Sequence, residues 1–87
     1  MTLDMAAMED LRARIEKITR RHDAIPEGGM VVLQKYGENG LRAVILGPEK
    51  HGKTVQVRSV TASKLAGSVC DQANGLAGGL LAAEVEA

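Results

Sequence analysis

Large aromatic side chains are almost absent from this chain of 87 residues, which has no Phe, no Trp and a single tyrosine, Tyr36. Aromatic rings normally supply much of the buried area of a small core, and a domain of this size buries only about 60 to 65% of its unfolded surface. The core must therefore come from Leu, Ile, Val, Met and Ala. Because such a monomer would be marginal and a second copy is a common remedy, the composition predicts a homodimer.

Cysteine and long apolar runs are also scarce. The single Cys70 cannot form a disulfide within the chain, which is typical of the reducing cytosol. The N-terminal residues lack the charged-then-apolar pattern of a secretory signal. The longest aliphatic stretch, residues 76–83, is far shorter than the ~20 residues of a membrane span. We therefore expect a cytoplasmic protein that does not enter a membrane.

Groups suited to catalysis or metal binding are few. His22, His51 and Cys70 lack the spacing of a zinc site. A catalytic pair of Cys70 with either histidine would need an exposed, activated thiol, whereas the small residues around Cys70 predict a buried one. We therefore expect no enzymatic activity, no metal and no cofactor.

The hydrophobic pattern predicts one α+β domain over residues 1–87, in the order α-β-β-β-α, with an antiparallel three-stranded sheet packed against helices. Apolar residues spaced by three and four predict a helix over residues 3–22, which Thr2 or Asp4 can cap. Period-two alternation predicts strands near residues 30–36, 41–46 and 53–60. Asn39-Gly40 is expected to be a two-residue turn between the first two strands.

A second helix is predicted over residues 61–74, with Thr61 as its N-cap and Asn74-Gly75 as its stop. An apolar tail with two glycines then follows over residues 76–87. Such a tail must be covered by other apolar surface. Two interpretations stay open: the tail packs on its own domain, or it docks on another subunit or protein.

One motif indicates a specific function, phosphate binding. Residues 47–54, Gly-Pro-Glu-Lys-His-Gly-Lys-Thr, match the phosphate-binding pattern G-x-x-x-x-G-K-[ST]. The octet resembles the P-loop of RecA-like recombinases, and this resemblance implies phosphate or nucleotide binding by Gly47, Gly52, Lys53 and Thr54. A P-loop must open a helix, but the residues after Gly52 alternate like a strand. We therefore expect a hairpin loop that does not bind ATP appreciably, and keep phosphate binding as a second alternative.

The charge is zero overall but unevenly placed. Residues 12–64 hold all 11 basic residues and five acidic ones, a net +6, and each flank carries −3. A basic face would suit the backbone of a nucleic-acid duplex, whereas one tyrosine is too few to stack single-stranded bases. The candidate contacts are Arg20, Arg21, Lys35, Arg42, Lys53 and Arg58.

Two further resemblances concern nucleic-acid-binding families. Residues 29–48 look like the hairpin of YbaB/EbfC nucleoid-associated proteins, which also begin with a helix, are dimeric and bind DNA; the predicted strand at residues 53–60 departs from that family. Double-stranded RNA-binding domains share the α-β-β-β-α order, but their lysine-rich entry to the last helix is reduced here to Ser63-Lys64. Neither resemblance assigns a family.

The favoured interpretation is a non-catalytic regulator, adaptor or inhibitor of the bacterial or phage accessory kind, which acts by binding another protein. Duplex nucleic-acid binding is the first alternative. The expected protein interface combines the stripe of the first helix with the apolar tail. Its residues are Met8, Leu11, Ile15, Leu76, Leu80 and Leu81.

Overall fold

The helices and strands follow the predicted order. The computed structural model describes residues 4–83. Its elements are α1 (Met5–Arg21), β1 (Met30–Tyr36), β2 (Gly40–Leu46), β3 (Gln56–Ala62) and α2 (Val69–Ala82). The strands form one antiparallel sheet in the order β1-β2-β3, so that β1 and β3 are its edges. The predicted α+β class is confirmed.

Helix α1 begins and ends close to the predicted residues. The Asp4 carboxylate accepts a hydrogen bond from the Ala7 amide at 2.7 Å, which caps the first turn. The buried face of the helix carries Leu11, Ile15 and Thr19. Thr19 can be buried because its hydroxyl donates to the Ile15 carbonyl oxygen at 2.8 Å. The apolar stripe seen in the sequence is thus the face that packs into the core, against α2 and β1.

The turn between β1 and β2 differs from the prediction. Tyr36 pairs with Gly40, so the loop consists of residues 37–39, and Asn39-Gly40 is not a two-residue turn. Gly37 supplies the left-handed conformation, with φ of 69°. Gly40 lies inside β2, where an added Cβ would meet the carbonyl oxygens of Tyr36 and Ala62 at 2.5 Å. Position 40 therefore requires glycine because neighbouring backbone atoms lie so close, and not because of a turn conformation.

The second helix was predicted in the wrong place. β3 continues to Ala62 because Thr61 and Ala62 pair with β2, so Thr61 is not an N-cap. The helix begins at Val69, after a capping box in which Ser68 and Asp71 each bond the other's backbone amide. The helix then continues through Gly75, where a stop is predicted, to Ala82. Most of the predicted tail is therefore helical.

Glycine is tolerated inside α2 because the helix packs very closely on the sheet. A Cβ at Gly79 would lie 2.7 Å from the Cγ2 of Val60 on β3, so only glycine fits there without a shift. A Cβ at Gly75 or Gly78 would meet nothing within 4 Å. Close packing on β3 therefore explains the glycine at position 79, whereas Gly75 and Gly78 only lower the helix propensity.

Both helices cover the same face of the sheet, and the core lies between them and the strands. Helix side chains of the core are Leu11, Ile15, Ala73, Leu76, Ala77 and Leu80, and strand side chains are Val31, Leu41, Ala43 and Ile45. The opposite face of the sheet carries no helix among residues 4–83. None of the helices described here combines the length and the apolar character that crossing a membrane requires.

The expected protein interface needs correction, because most of it is core. Leu11, Ile15 and Leu80 are fully buried and Leu76 is 2% exposed within a single chain. These side chains cannot contact a partner unless the fold opens. Met8 and Leu81 are partly buried. The described part of the tail, residues 76–83, packs on its own domain, and residues 84–87 lie outside the described part of the chain.

Candidate protein interface

The basic residues proposed for nucleic-acid contact do not share one face. Arg42 alternates with the core residues Leu41 and Ala43, so it points to the open face of the sheet, where it donates to the Gln56 Oε1 at 3.2 Å. Arg58 pairs with the core residue Ile45 and points to the helix side. Strand alternation therefore separates the two arginines to opposite faces of the sheet.

Arg58 has a structural role that explains its position. Its Nη1 donates to the carbonyl oxygens of Leu80 and Leu81, each at 3.1 Å. These carbonyls belong to the last turn of α2, where a cation complements the helix dipole and satisfies orphan acceptors. Arg58 thus fastens the end of α2 to β3 and is not available to a phosphate backbone.

The remaining candidates come from three other parts of the chain. Arg20 and Arg21 end α1, and Arg20 is paired with Glu16 at 3.3 Å. Lys35 lies near the end of β1, and Lys53 lies in the connection between β2 and β3. The expected basic sheet face is therefore corrected for Arg42 and Arg58, which lie on opposite faces; duplex contact by the other basic residues stays a prediction.

The glycine-rich octet forms a tight turn. The amides of Lys50 and Lys53 donate to each other's carbonyl oxygens at 2.8 and 3.0 Å, and His51 and Gly52 between them both have positive φ, 54° and 75°. This is the conformation of a two-residue hairpin turn. β3 follows at Gln56, so no helix N-terminus faces Thr54. The residues of the motif are present, but the arrangement that cradles phosphate is not.

Cys70, His22 and His51 belong to three different parts of the fold. Cys70 is exposed in the first turn of α2, which corrects the expectation that it is buried. Cys70 is exposed because α2 begins at Val69, later than predicted, so that Cys70 lies in its first turn. His22 lies at the end of α1, and His51 lies in the turn after β2. Within residues 4–83, no three His, Cys, Asp or Glu side chains are grouped for metal binding.

The feature that stands out is the edge of β1. The Val31 amide donates to the Glu16 Oε2 at 3.5 Å instead of to β2. Because backbone groups alternate in an antiparallel ladder, the amides and carbonyls of Val31, Leu33 and Lys35 all point away from the sheet. β1 pairs with β2 over all seven of its residues without a bulge. It therefore offers a straight, regular template for another strand.

Charged residues of α1 lie along this edge. Glu16 accepts from Arg12 at 2.8 Å and from Arg20 at 3.3 Å, in addition to the Val31 amide. Burial alone would raise the pKa of Glu16, but hydrogen bonds from Arg20, the Val31 amide and Arg12 outweigh it and lower the pKa below its ordinary value. Glu16 is therefore ionised at neutral pH, and among residues 4–83 its carboxylate accepts from only the first of the outward amides, that of Val31.

A groove runs between α1 and the β1 edge. Its volume is about 600 Å³, and its walls are Met5, Met8, Glu9, Arg12 and residues 30–33. Met5 is 89% exposed and Met30 is 48% exposed. Methionine side chains adapt to irregular apolar partners, so the groove joins apolar walls to free backbone hydrogen-bonding groups. The sequence analysis did not predict this groove. The one feature of the sequence that points to it is the apolar strand that directly follows the turn from Pro26 to Gly29.

Comparison of the chain with protein-family models, curated proteins and solved structures finds no significant match. The geometry of this chain is therefore the basis for its proposed function.

Proposed function

We propose that this protein is a non-catalytic binding protein that regulates, adapts or inhibits another protein by holding an extended segment of it against β1. The carrying observation is the free edge of β1 beside an apolar groove. An extended segment added to such an edge gains main-chain hydrogen bonds, and pockets for alternate side chains select its sequence. A small cytoplasmic accessory protein of bacterial or phage origin fits this mode of action.

The groove supports this proposal better than it supports the alternatives. Arg42 and Arg58, on opposite faces of the sheet, cannot both contact one duplex. The turn at residues 50–53 directs its amides into its own hydrogen bonds. The β1 edge, in contrast, leaves the amides of Leu33 and Lys35 directed outward next to apolar walls.

The experiment is affinity capture from a lysate of the cells that make the protein, after nuclease treatment. We compare the wild type with Lys35→Pro, which removes one outward amide without touching the bonds to β2, and with Lys35→Ala, which removes the side chain beyond Cβ but keeps that amide. A protein captured by the wild type and by Lys35→Ala but not by Lys35→Pro supports the proposal. Capture that disappears with nuclease, or that Lys35→Pro retains, contradicts it.

A further inference from the structure

We infer that a second copy of this chain occupies the β1 edge in the free protein. Two β1 strands pair antiparallel about a two-fold axis at Leu33 and join the two sheets into one. This inference goes beyond the proposed function, because it names a second copy as an occupant of the same edge and is tested separately. It also replaces the homodimer interface expected from the sequence, in which Leu11, Leu76 and Leu80 are core residues.

The register follows from which backbone groups are free. The outward groups belong to Val31, Leu33 and Lys35, so hydrogen-bonded pairs across the interface must join these three residues with the same three of the partner. The register that overlaps all seven residues of β1 sets Leu33 opposite Leu33 of the partner subunit. Val31 then lies opposite Lys35 of the partner subunit, and the outward amides of both chains are all paired.

This register also covers the exposed apolar side chains of the strand. Met30 and Tyr36 are 48% and 52% exposed, and both lie on the open face at opposite ends of β1. In the two-fold arrangement Met30 lies opposite Tyr36 of the partner subunit, and the pair occurs twice. Methionine sulfur packs favourably on aromatic rings, and cross-strand pairs of large side chains stabilise sheets.

The charges are complementary as well. Lys35 lies opposite Val31 of the partner subunit, and within each chain the Val31 amide is bonded to Glu16. That bond is 3.5 Å long, at the outer limit for a hydrogen bond. Glu16 can therefore release the amide to the incoming carbonyl and turn to the ammonium group of Lys35 across the interface. An opposite charge placed there favours this register over shifted ones.

Self-pairing has a consequence for partner binding. One strand edge accepts one strand at a time, so a second copy and an extended segment of another protein compete for β1. Dissociation of the dimer then precedes capture of the partner, and the affinity for the partner falls as the concentration of this protein rises.

The first test is mass in solution by light scattering at ~100 μM, a concentration at which a micromolar dimer is populated. We expect a dimer for the wild type. Lys35→Pro should weaken it at least about tenfold, whereas Lys35→Ala should weaken it only a few-fold. Circular dichroism and a cooperative melt confirm that each variant is folded. A monomeric wild type, or a folded Lys35→Pro dimer as tight as the wild type, overturns the inference.

The second test fixes the register and does not depend on proline. In a Cys70→Ser background, Leu33→Cys should oxidise to a covalent dimer, since hydrogen-bonded antiparallel pairs bring Cα atoms to ~5.5 Å, within disulfide range. Gln34→Cys should not, because its neighbour across the axis is Val32 of the partner subunit. Equal cross-linking by both variants, or by neither, overturns the inference.

The two proposals fail separately. If the wild type is monomeric but captures a protein through β1, the proposed function stands and the second copy is not the occupant; Lys35 and Glu16 then shield the edge from self-pairing. If the dimer forms through β1 but no protein is captured, the inference stands and the proposed function fails.

Discussion

The two edges of the sheet differ in how the neighbouring helix meets them. On the β3 side, α2 is in close contact: Gly79 packs against Val60, and Arg58 binds the carbonyls of the last helical turn. On the β1 side, α1 meets the strand edge through the charged side chains of Glu16 and Arg12 and leaves a groove. The comparison indicates that contacts on the β3 side stabilise the fold, whereas the β1 side keeps the outward backbone groups to which we assign the proposed binding.

The strands themselves show the same contrast. β1 pairs without interruption, whereas the pairing of β3 with β2 shifts register between Ile45 and Leu46. A bulge twists a strand and disrupts the ladder, which is a common protection against edge pairing. Variants on the β3 side should therefore change folding stability, and variants on the β1 side should change association.

The largest expected effect is at Gly79. Gly79→Val places its Cβ against Val60 and should lower the free energy of unfolding by about 1 to 3 kcal/mol, the usual cost of overpacking. The matched control is Gly78→Val, where an added Cβ meets nothing within 4 Å; it should change stability by less than about 0.5 kcal/mol. Urea denaturation measures both. Equal effects would show that α2 does not approach β3 closely.

The next effect is at Arg58. Arg58→Met keeps an unbranched side chain but leaves the carbonyls of Leu80 and Leu81 without their cation, so stability should fall by about 1 to 2 kcal/mol. Arg42→Met, on the open face, loses one bond to Gln56 and should cost less than about 1 kcal/mol. Thermal melts of the two variants make the comparison. A larger loss for Arg42→Met would contradict the separation of the two faces.

The fold class could be predicted from the sequence because it depends on local periodicity: the stripe of Leu11 and Ile15 and the alternation in the strands are visible without the structure. The position of α2 could not be, because it depends on distant contacts. Pairing of Thr61 with Arg42 extends β3, and the fit of Gly79 on Val60 turns an apparent helix breaker into a packing residue.

The candidate site was harder to predict for a related reason. A free strand edge is a property of sheet order, and sequence pattern does not give that order. The motif at residues 47–54 predicts phosphate binding, and the basic residues predict contact with a nucleic-acid backbone. Their roles depend instead on the turn at residues 50–53 and on which face of the sheet Arg58 occupies.

On the β1 side, Met30→Ser should leave folding almost unchanged. Met30 is 48% exposed, so the free energy of unfolding should move by less than about 0.5 kcal/mol. Dimer dissociation should nevertheless become a few-fold easier, because the contact with Tyr36 of the partner subunit is lost. Urea denaturation at low concentration and sedimentation measure the two quantities. A large loss of stability without weaker association would reverse the assignment of the two edges.

The smallest effect concerns pH. The pKa of Glu16 is lowered from 4.5 in the folded chain, so its ionised form stabilises the fold above about pH 4.5, and this contribution is lost as the pH falls through the folded pKa. Glu16→Gln should therefore flatten the dependence of Tm on pH below about 4.5, by an amount equivalent to at most about 1 kcal/mol. An unchanged pH dependence would show that the Arg12 and Arg20 contacts do not favour the carboxylate.

The proposed function and the proposed dimer both depend on the outward amides of β1. Residue-resolved amide hydrogen exchange tests them directly, with Gln34 as the internal reference because its amide bonds to β2. In dilute solution Leu33 and Lys35 should exchange much faster than Gln34; at ~1 mM, where the dimer dominates, they should become protected. Lys35 and Leu33 amides that exchange equally fast at both concentrations, in a sample whose mass shows a dimer, would place the interface elsewhere and contradict the account.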